Sequence, residues 1–227
     1  MPNILKPGFE IFFNKPVVEM YKSIERIGRT CYKSEDRITD TSHITFLKSL
    51  INRGHEAMIE HESITVKFTV DRGVTHEMVR HRIASFAQES TRYCNYSNDK
   101  YGNEVSVIDI ADAIKLDPKM RHMTADEIFA ILEVWSDAMN DAEKHYLKML
   151  ELGATPQIAR SVLPNSTKTD IWITANIREW RNIFKLRADT PAHPQMREVM
   201  IPLLMELKEQ APLFFEDIDP YYSWVVA

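Results

Sequence analysis

The stretch from Arg80 to Arg92, RHRIASFAQESTR, concentrates groups able to grip an anion. Arg80, His81 and Arg82 are consecutive and can all carry positive charge, and Ser90 and Arg92 follow shortly after. Guanidinium groups present forked, permanently charged donors that match phosphate and carboxylate geometry. Ser85, Gln88 and Glu89 lie between them and can hydrogen-bond. Hydroxyl and backbone N–H groups add uncharged donors to the same anion. By residue type the stretch is a phosphate cradle; by spacing alone it could equally be the solvated basic end of a helix, because charged side chains are mostly exposed.

A second cluster runs from Gly54 to Ser63 and holds His55, Glu56, Glu60, His61 and Glu62. Histidine and glutamate so close together raise the question of a metal. Zinc helices set two histidines as H-E-x-x-H or H-x-x-E-H. After His55 the first pattern needs histidine where Ile59 stands, and before His61 the second needs it where Ala57 stands. The expectation is therefore no metal, and a polar loop leading into a strand. Arg160, ahead of Ser-Val-Leu-Pro, and the pair Arg178 and Asn182, four apart on one helix face, complete the polar candidates.

Elements must position these groups. Asn3 to Asn14 reads as a strand, Val17 to Cys31 as a helix, and Lys33 to Thr41 as a loop. Thr41 or Ser42 caps a helix that stops near Gly54. Ile64 to Val70, ITVKFTV, alternates as a half-buried strand. Asp71-Arg72-Gly73 turns the chain into a short helix, Val74 to His81, whose C-terminal end favours cationic groups at the start of an Arg80 to Arg92 loop. Tyr93 to Asn103 is a polar connection, Val105 to Ile110 a strand, and Thr124 opens a long helix to about Leu152. Thr155 to Val162 is a short helix with Pro156 in its first turn, and Thr167 to Ala175 a strand. Asn176 then caps a helix to Arg187 that packs through Ile177, Trp180, Ile183, Phe184 and Leu186. Pro191 to Leu207 is a further helix. The tail, with Phe214, Phe215, Tyr221, Tyr222 and Trp224, reads as a packed terminal segment or an interface.

Arg80-His81-Arg82, seven residues, Ser90 and then Arg92-Tyr93 resembles the signature of the flavin-dependent thymidylate synthases. Gly54-His55 and Glu60-His61 before a strand match a further block of that family, and Asn176, Arg178, Asn182, Leu186 and Arg187 match another, in the same order along the chain. The resemblance spans about Gly54 to Arg197. It implies one α/β (α+β) domain over the whole chain, with a twisted, largely antiparallel sheet flanked by helices, the thymidylate synthase-complementing protein fold. It implies a homotetramer with active sites at subunit interfaces. The implied reaction is reductive methylation of dUMP to dTMP, with FAD as cofactor and NADPH and methylenetetrahydrofolate as co-substrates. By the same resemblance Arg187 is the catalytic residue, and Glu77, Arg80, Gln88, Glu89, Ser90, Thr91, Arg92, Arg160 and Arg187 bind dUMP. His55, Ala57, Arg80, His81, Arg82, Gln88, Asn176, Arg178 and Asn182 would contact FAD. Two positions depart from the family pattern. Many members have a small hydroxyl residue where this chain has Ala57, and Asn-Glu where it has Ala87-Gln88.

The 227 residues and 44% hydrophobic content allow a sizeable core, and no repeat or low-complexity linker divides the chain. A net charge of −5 gives no global attraction to nucleic acid, so none is expected as a partner. No apolar run approaches the roughly 20 residues of a membrane span, and the first residues lack the pattern of a secretory signal, so a cytoplasmic protein is expected. Cys31 and Cys94 have no zinc or disulfide spacing and read as reduced thiols. Cys94 lies near the arginine motif, but nothing around it forms a cysteine-nucleophile signature, and Ser90 has no base beside it to make it a nucleophile. A nucleic-acid patch at Arg80 to Arg92, a related flavoenzyme alkylating another pyrimidine nucleotide, and a metal hydrolase at His55/His61 are the competing readings.

Overall fold

The computed structural model describes residues 1–97 and 102–219; Tyr221, Tyr222 and Trp224 lie outside them. The single N-terminal strand expected from sequence is two, β1 (Asn3–Leu5) and β2 (Gly8–Phe13). Pro7 separates them, since it has no N–H for a ladder. α1 (Val17–Thr30) buries Met20, Tyr21, Ile24 and Gly28. A Cβ on Gly28 would lie 2.7 Å from the Phe46 ring, so any larger residue there would push that ring aside. α2 (Ser42–Asn52) begins without a capping bond from Thr41; instead the Ser42 hydroxyl accepts from Thr39 N–H at 2.8 Å. It ends before Gly54, which holds the left-handed φ of +69°. The expected loop after it contains a 3-10 turn, Glu56–His61.

β3 (Ser63–Asp71) alternates as its sequence requires, with Ile64, Val66, Phe68 and Val70 all buried. α3 (Arg72–Met78) starts two residues before the expected Val74, because Asp71 Oδ1 accepts from Val74 N–H at 2.7 Å and makes Asp71 the cap. The Arg80 to Arg92 stretch is not one loop: it contains β4 (Ala84–Gln88). Ser85 and Ala87 are exposed while Ala84, Phe86 and Gln88 are partly covered, the alternation of a strand at a sheet edge.

β5 (Ser106–Ile108) pairs with β1 in parallel, Asn3 opposite Ser106 and Leu5 opposite Ile108. α4 (Ala111–Leu116) precedes α5 (Ala125–Glu151), which opens with a complete capping box between Thr124 and Glu127. α6 (Pro156–Ala159) tightens into a 3-10 turn, Arg160–Val162, where sequence suggested one helix. β6 (Lys168–Asn176) runs directly into α7 (Ile177–Arg187), whose cap is the Asn176 side chain accepting from Glu179 N–H. Leu186, expected to pack, is 55% exposed. α8 (Pro194–Gln210) starts at Pro194 rather than Pro191, with proline at its favoured first position, and α9 (Pro212–Phe215) follows.

The fold is α+β, with a four-stranded antiparallel sheet in the order β2-β3-β6-β4. Packing divides the chain into two compact units. Unit 1 comprises 1–8, 68–80 and 87–171, and unit 2 comprises 9–67, 81–86 and 172–227. Within unit 1, Tyr96, Val105, Val107, Met139, Tyr146 and Ala159 form a core cluster. Within unit 2, Trp180 and Phe184 stack at 5.8 Å, Phe184 meets Phe215 edge-on, and Trp180 Nε1 donates to Ile64 O at 2.9 Å. No described helix is long and apolar enough to cross a membrane.

Candidate active site

In unit 1 the anion candidates gather around the end of β4 and the turn after it. Gln88 Nε2 donates to Thr75 Oγ1 at 2.9 Å and to Thr169 Oγ1 at 3.3 Å. Glu89 is anchored on both sides: its N–H donates to Asp170 O, one carboxylate oxygen accepts from Tyr96 OH at 3.0 Å, and the other meets Lys168 Nζ at 3.1 Å. Burial, with the Glu89 carboxylate beside it, raises the Tyr96 phenol above its ordinary pKa and keeps it a donor. Burial works against the charge on Lys168, but the Asp170 and Glu89 carboxylates raise its pKa overall. Glu89 therefore uses its carboxylate to hold structure. Ser90 O accepts from Tyr93 and Cys94 N–H, forming the turn, and Ser90 Oγ accepts from Arg92 N–H at 3.3 Å.

Thr91 is buried and its hydroxyl accepts from Arg160 Nη1 at 3.2 Å, so the turn after β4 and the end of α6 meet. Arg92 is exposed, its guanidinium 5.3 Å from the Tyr93 ring centroid. Glu77 and Arg80 close α3, with Arg80 N–H donating to Glu77 O. A cavity of about 500 Å³ opens beside them, lined by Arg72, His76, Thr91, Gln157, Arg160 and Asn165 among others. Guanidinium groups from two elements and a hydroxyl facing one cavity can take an anion.

In unit 2, Asn176, Arg178 and Asn182 line another cavity, of about 440 Å³, with Glu56, Glu60, Ile83, Glu179 and Lys185. Arg178 is paired with Glu60 and, more loosely, with Glu56 at 3.9 Å. Asn182 Nδ2 lies 3.4 Å from both Glu179 oxygens. His55 and Ala57 line a different cavity, of about 720 Å³, with Arg29, Arg37 and Arg53. Arg82 is exposed.

His81 is buried, and both its ring nitrogens have partners: Nδ1 lies 3.1 Å from Glu179 Oε1, and Nε2 accepts from Arg187 Nε at 3.0 Å. Burial lowers the His81 pKa and the Arg187 charge lowers it further, while Glu179 opposes them. The structure thus brings together two sequence candidates from separate motifs, His81 and Arg187. It also supplies Glu179, which sequence reasoning passed over as an ordinary helix residue. The anchoring residues Lys168, Thr169 and Asp170 were missed as well, since nothing in a strand sequence marks them.

Comparison with known proteins carries the same message along most of the chain. Residues 17–213 match the family model for "Thymidylate synthase complementing protein". The flavin-dependent thymidylate synthase of Corynebacterium diphtheriae is 33% identical over 203 residues, covering 86% of this chain and 78% of that protein. The enzyme of the same name from Mycobacterium tuberculosis is 29% identical over 203 residues, with the same shares covered. Among solved structures, a UMP/dUMP methylase, PolB from Streptomyces cacaoi, bound with 5-Br dUMP, superposes with a TM-score of 0.76 at 22% identity, covering 94% of this chain and 95% of that one. The last likeness establishes the fold. With the family match spanning both arginine-bearing motifs, the chain belongs to the family of flavin-dependent thymidylate synthases.

Proposed function

We propose that this chain converts dUMP to dTMP by reductive methylation, using FAD, with NADPH as reductant and methylenetetrahydrofolate as carbon donor. The chain acts as one domain in a cytoplasmic homotetramer whose sites lie at subunit interfaces. The observation that carries the reading is the Arg187 guanidinium held by its Nε on the buried His81 ring.

Uracil C5 is a poor nucleophile, and drawing N3 toward its deprotonated form enriches the ring in electrons. A guanidinium cannot serve as a general base, because it holds its proton too tightly to have a free lone pair. A fixed one can stabilise negative charge that develops on the pyrimidine. Arg187 is the catalytic residue in that sense. Ser90, Thr91, Arg92 and Arg160, with Glu77 and Arg80 at the end of α3, bind the nucleotide, the cationic members taking its phosphate. Gln88 and Glu89 support them: both side chains are engaged with Thr75, Thr169, Tyr96 and Lys168, so they brace the turn that presents Ser90 and Thr91.

FAD supplies hydride when reduced. Arg178, Asn182 and Lys185 offer cationic and amide donors for the diphosphate of such a group around one cavity; of the three glutamates on the same wall, Glu56 is taken by Arg181 and Glu179 by His81, and Glu60 is the one the cofactor would displace. Arg178 would exchange its exposed pairing with Glu60 for the cofactor. Arg80, Arg82 and Asn176 would join them, His55 and Ala57 would contact the cofactor from their separate cavity, and Gln88 and His81 would act indirectly, the one through the turn it braces and the other through its bond to Arg187.

The test is a visible spectrum of the purified protein with added FAD, then anaerobic NADPH reduction with and without dUMP, then dTMP formation on adding methylenetetrahydrofolate. Bound flavin, reduction that responds to dUMP, and product together support the reading. Flavin binding with methylation of UMP in place of dUMP would move the substrate to another pyrimidine nucleotide. No flavin binding under any condition would end the proposal.

A further inference from the structure

Arg187 is held by chemistry that admits one arrangement of protons. A guanidinium Nε–H can only donate, so the His81 Nε2 atom 3.0 Å away must carry a lone pair. A neutral imidazole has one donor nitrogen and one acceptor, so the proton sits on Nδ1 and points at Glu179 Oε1, 3.1 Å away. Glu179 is itself held: its N–H donates to Asn176 Oδ1 at 2.8 Å, and the Asn182 amide approaches both carboxylate oxygens. His81 and Glu179 are each 7% exposed, so water does not replace these bonds cheaply. A doubly protonated ring would set an Nε2–H against the Arg187 Nε–H, two donors facing each other.

We propose that Glu179 and His81 are positioning residues for Arg187. Glu179 fixes the neutral Nδ1–H tautomer of His81, which accepts from the guanidinium Nε and gives up that one bond when the ring takes a second proton. The proposal rests on the assignment of Arg187 to the nucleotide. Among the described residues the charged groups hydrogen-bonded to the ring and acting on its charge are Glu179 and Arg187, both from α7. Burial and the Arg187 charge depress the ring's pKa below its ordinary 6.5, and Glu179 only partly offsets them. The Nε2 bond to Arg187 is therefore complete above the ring's ordinary 6.5 and is lost as pH falls through the lower folded value.

Two measurements test this. The first is long-range proton–nitrogen NMR of ¹⁵N-histidine-labelled protein without substrate, with His81 identified by the signal missing in His81→Gln. A neutral Nδ1–H tautomer near neutral pH is expected, and an Nε2–H tautomer or an imidazolium there overturns the proposal. The second is the pH profile of kcat and KM for dUMP in Glu179→Gln and Glu179→Leu. Gln can still accept from Nδ1–H but lacks the charge that favours the imidazolium, so the acid limb of kcat moves to lower pH. Leu removes the acceptor, and kcat falls roughly tenfold, as outer partners of a functional group usually cost, with KM little changed. If Glu179→Leu does not fold, the wild-type tautomer and the Glu179→Gln profile still decide. Wild-type kcat and acid limb in both variants overturn the positioning role, provided Arg187→Ala is inactive. If Arg187→Ala keeps its activity, the functional assignment of Arg187 fails instead, whatever the tautomer of His81.

Discussion

Gln88 stands where many family members carry glutamate, and its surroundings say what a carboxylate would meet. Its amide nitrogen donates to Thr75 Oγ1 at 2.9 Å and Thr169 Oγ1 at 3.3 Å, and both threonines are fully buried. The Thr75 hydroxyl proton is already committed to Arg72 O at 2.9 Å. In Gln88→Glu an oxygen replaces the amide nitrogen and faces a lone pair on Thr75. Either that contact stays repulsive or Thr75 abandons Arg72 O. The Thr169 hydroxyl can rotate and donate to the new carboxylate, which offsets part of the loss. An unmade bond to a buried polar group costs about 1–3 kcal/mol, so the net expectation is a loss of about 2 kcal/mol near pH 7. Protonating the introduced carboxylate returns a donor and removes most of the deficit. The variant carboxyl thus has a raised pKa in the folded state, because its protonated form alone can donate to Thr75. Its stability matches wild type below the ordinary glutamate pKa of about 4.3 and falls behind as pH rises from there through the raised folded value. Urea unfolding of both proteins across this range measures the difference. A deficit under about 0.5 kcal/mol at neutral pH, the ordinary scatter of surface substitutions, would refute the reasoning, as would one independent of pH.

Other substitutions probe separate parts of the molecule. Arg181 is 2% exposed and forks onto Asp217 at 2.7 Å while its Nε reaches Glu56 at 3.0 Å. Arg181→Met should cost about 3 kcal/mol in urea unfolding, since it takes the guanidinium from Asp217 and from Phe214 O and leaves Glu56 only the longer contacts of Arg178 and Lys185, and an unchanged midpoint would show that water had been serving these groups all along. Asn176→Ala should cost about 1 kcal/mol and Asn176→Gly only a few tenths, because glycine tolerates the cap position; equal losses would mean the 2.8 Å bond to Glu179 N–H is not what holds the start of α7. Arg160→Ala should leave unfolding within about 0.5 kcal/mol of wild type, the side chain being exposed. Its KM for dUMP should rise at least about tenfold, since a charged hydrogen bond contributes about 1.5–3 kcal/mol. An unchanged KM would remove Arg160 from the phosphate site.

Local spacing carried most of the elements. The alternation of Ile64, Val66, Phe68 and Val70 requires a strand, and Thr124 with Glu127 three residues on requires a helix start; both stand where expected. Expectation fails where one residue acts on its neighbours through hydrogen bonding. Pro7 splits the first strand by lacking an N–H. Asp71 pulls the start of α3 forward by capping it. Ala84–Gln88 reads as loop in the sequence because it lies among arginines and polar residues, yet an edge strand needs only one covered face, which Phe86 and Gln88 provide. Leu186 belongs to the helical pattern but falls on its exposed side, because α7 buries Ile183 and Phe184 instead.

The site divides along the same line. Arg178 and Asn182 lie four apart on one helix, so helical geometry alone brings them to one face and one cavity, and that much is legible in a string of letters. The Glu179, His81 and Arg187 arrangement is not. His81 is 98 residues from Glu179 and 106 from Arg187, and no periodicity couples positions so far apart. Sequence marks His81 as cationic-capable, one of three such neighbours, and so as one more anion donor. The structure gives it the opposite character from Arg80 and Arg82. They are exposed, whereas His81 is buried between Glu179 and Arg187, and its neutral form is the one that makes both bonds. The middle residue of the motif is therefore read correctly only with its distant partners in view. A run of like residue types can hold one member whose job depends on not being charged.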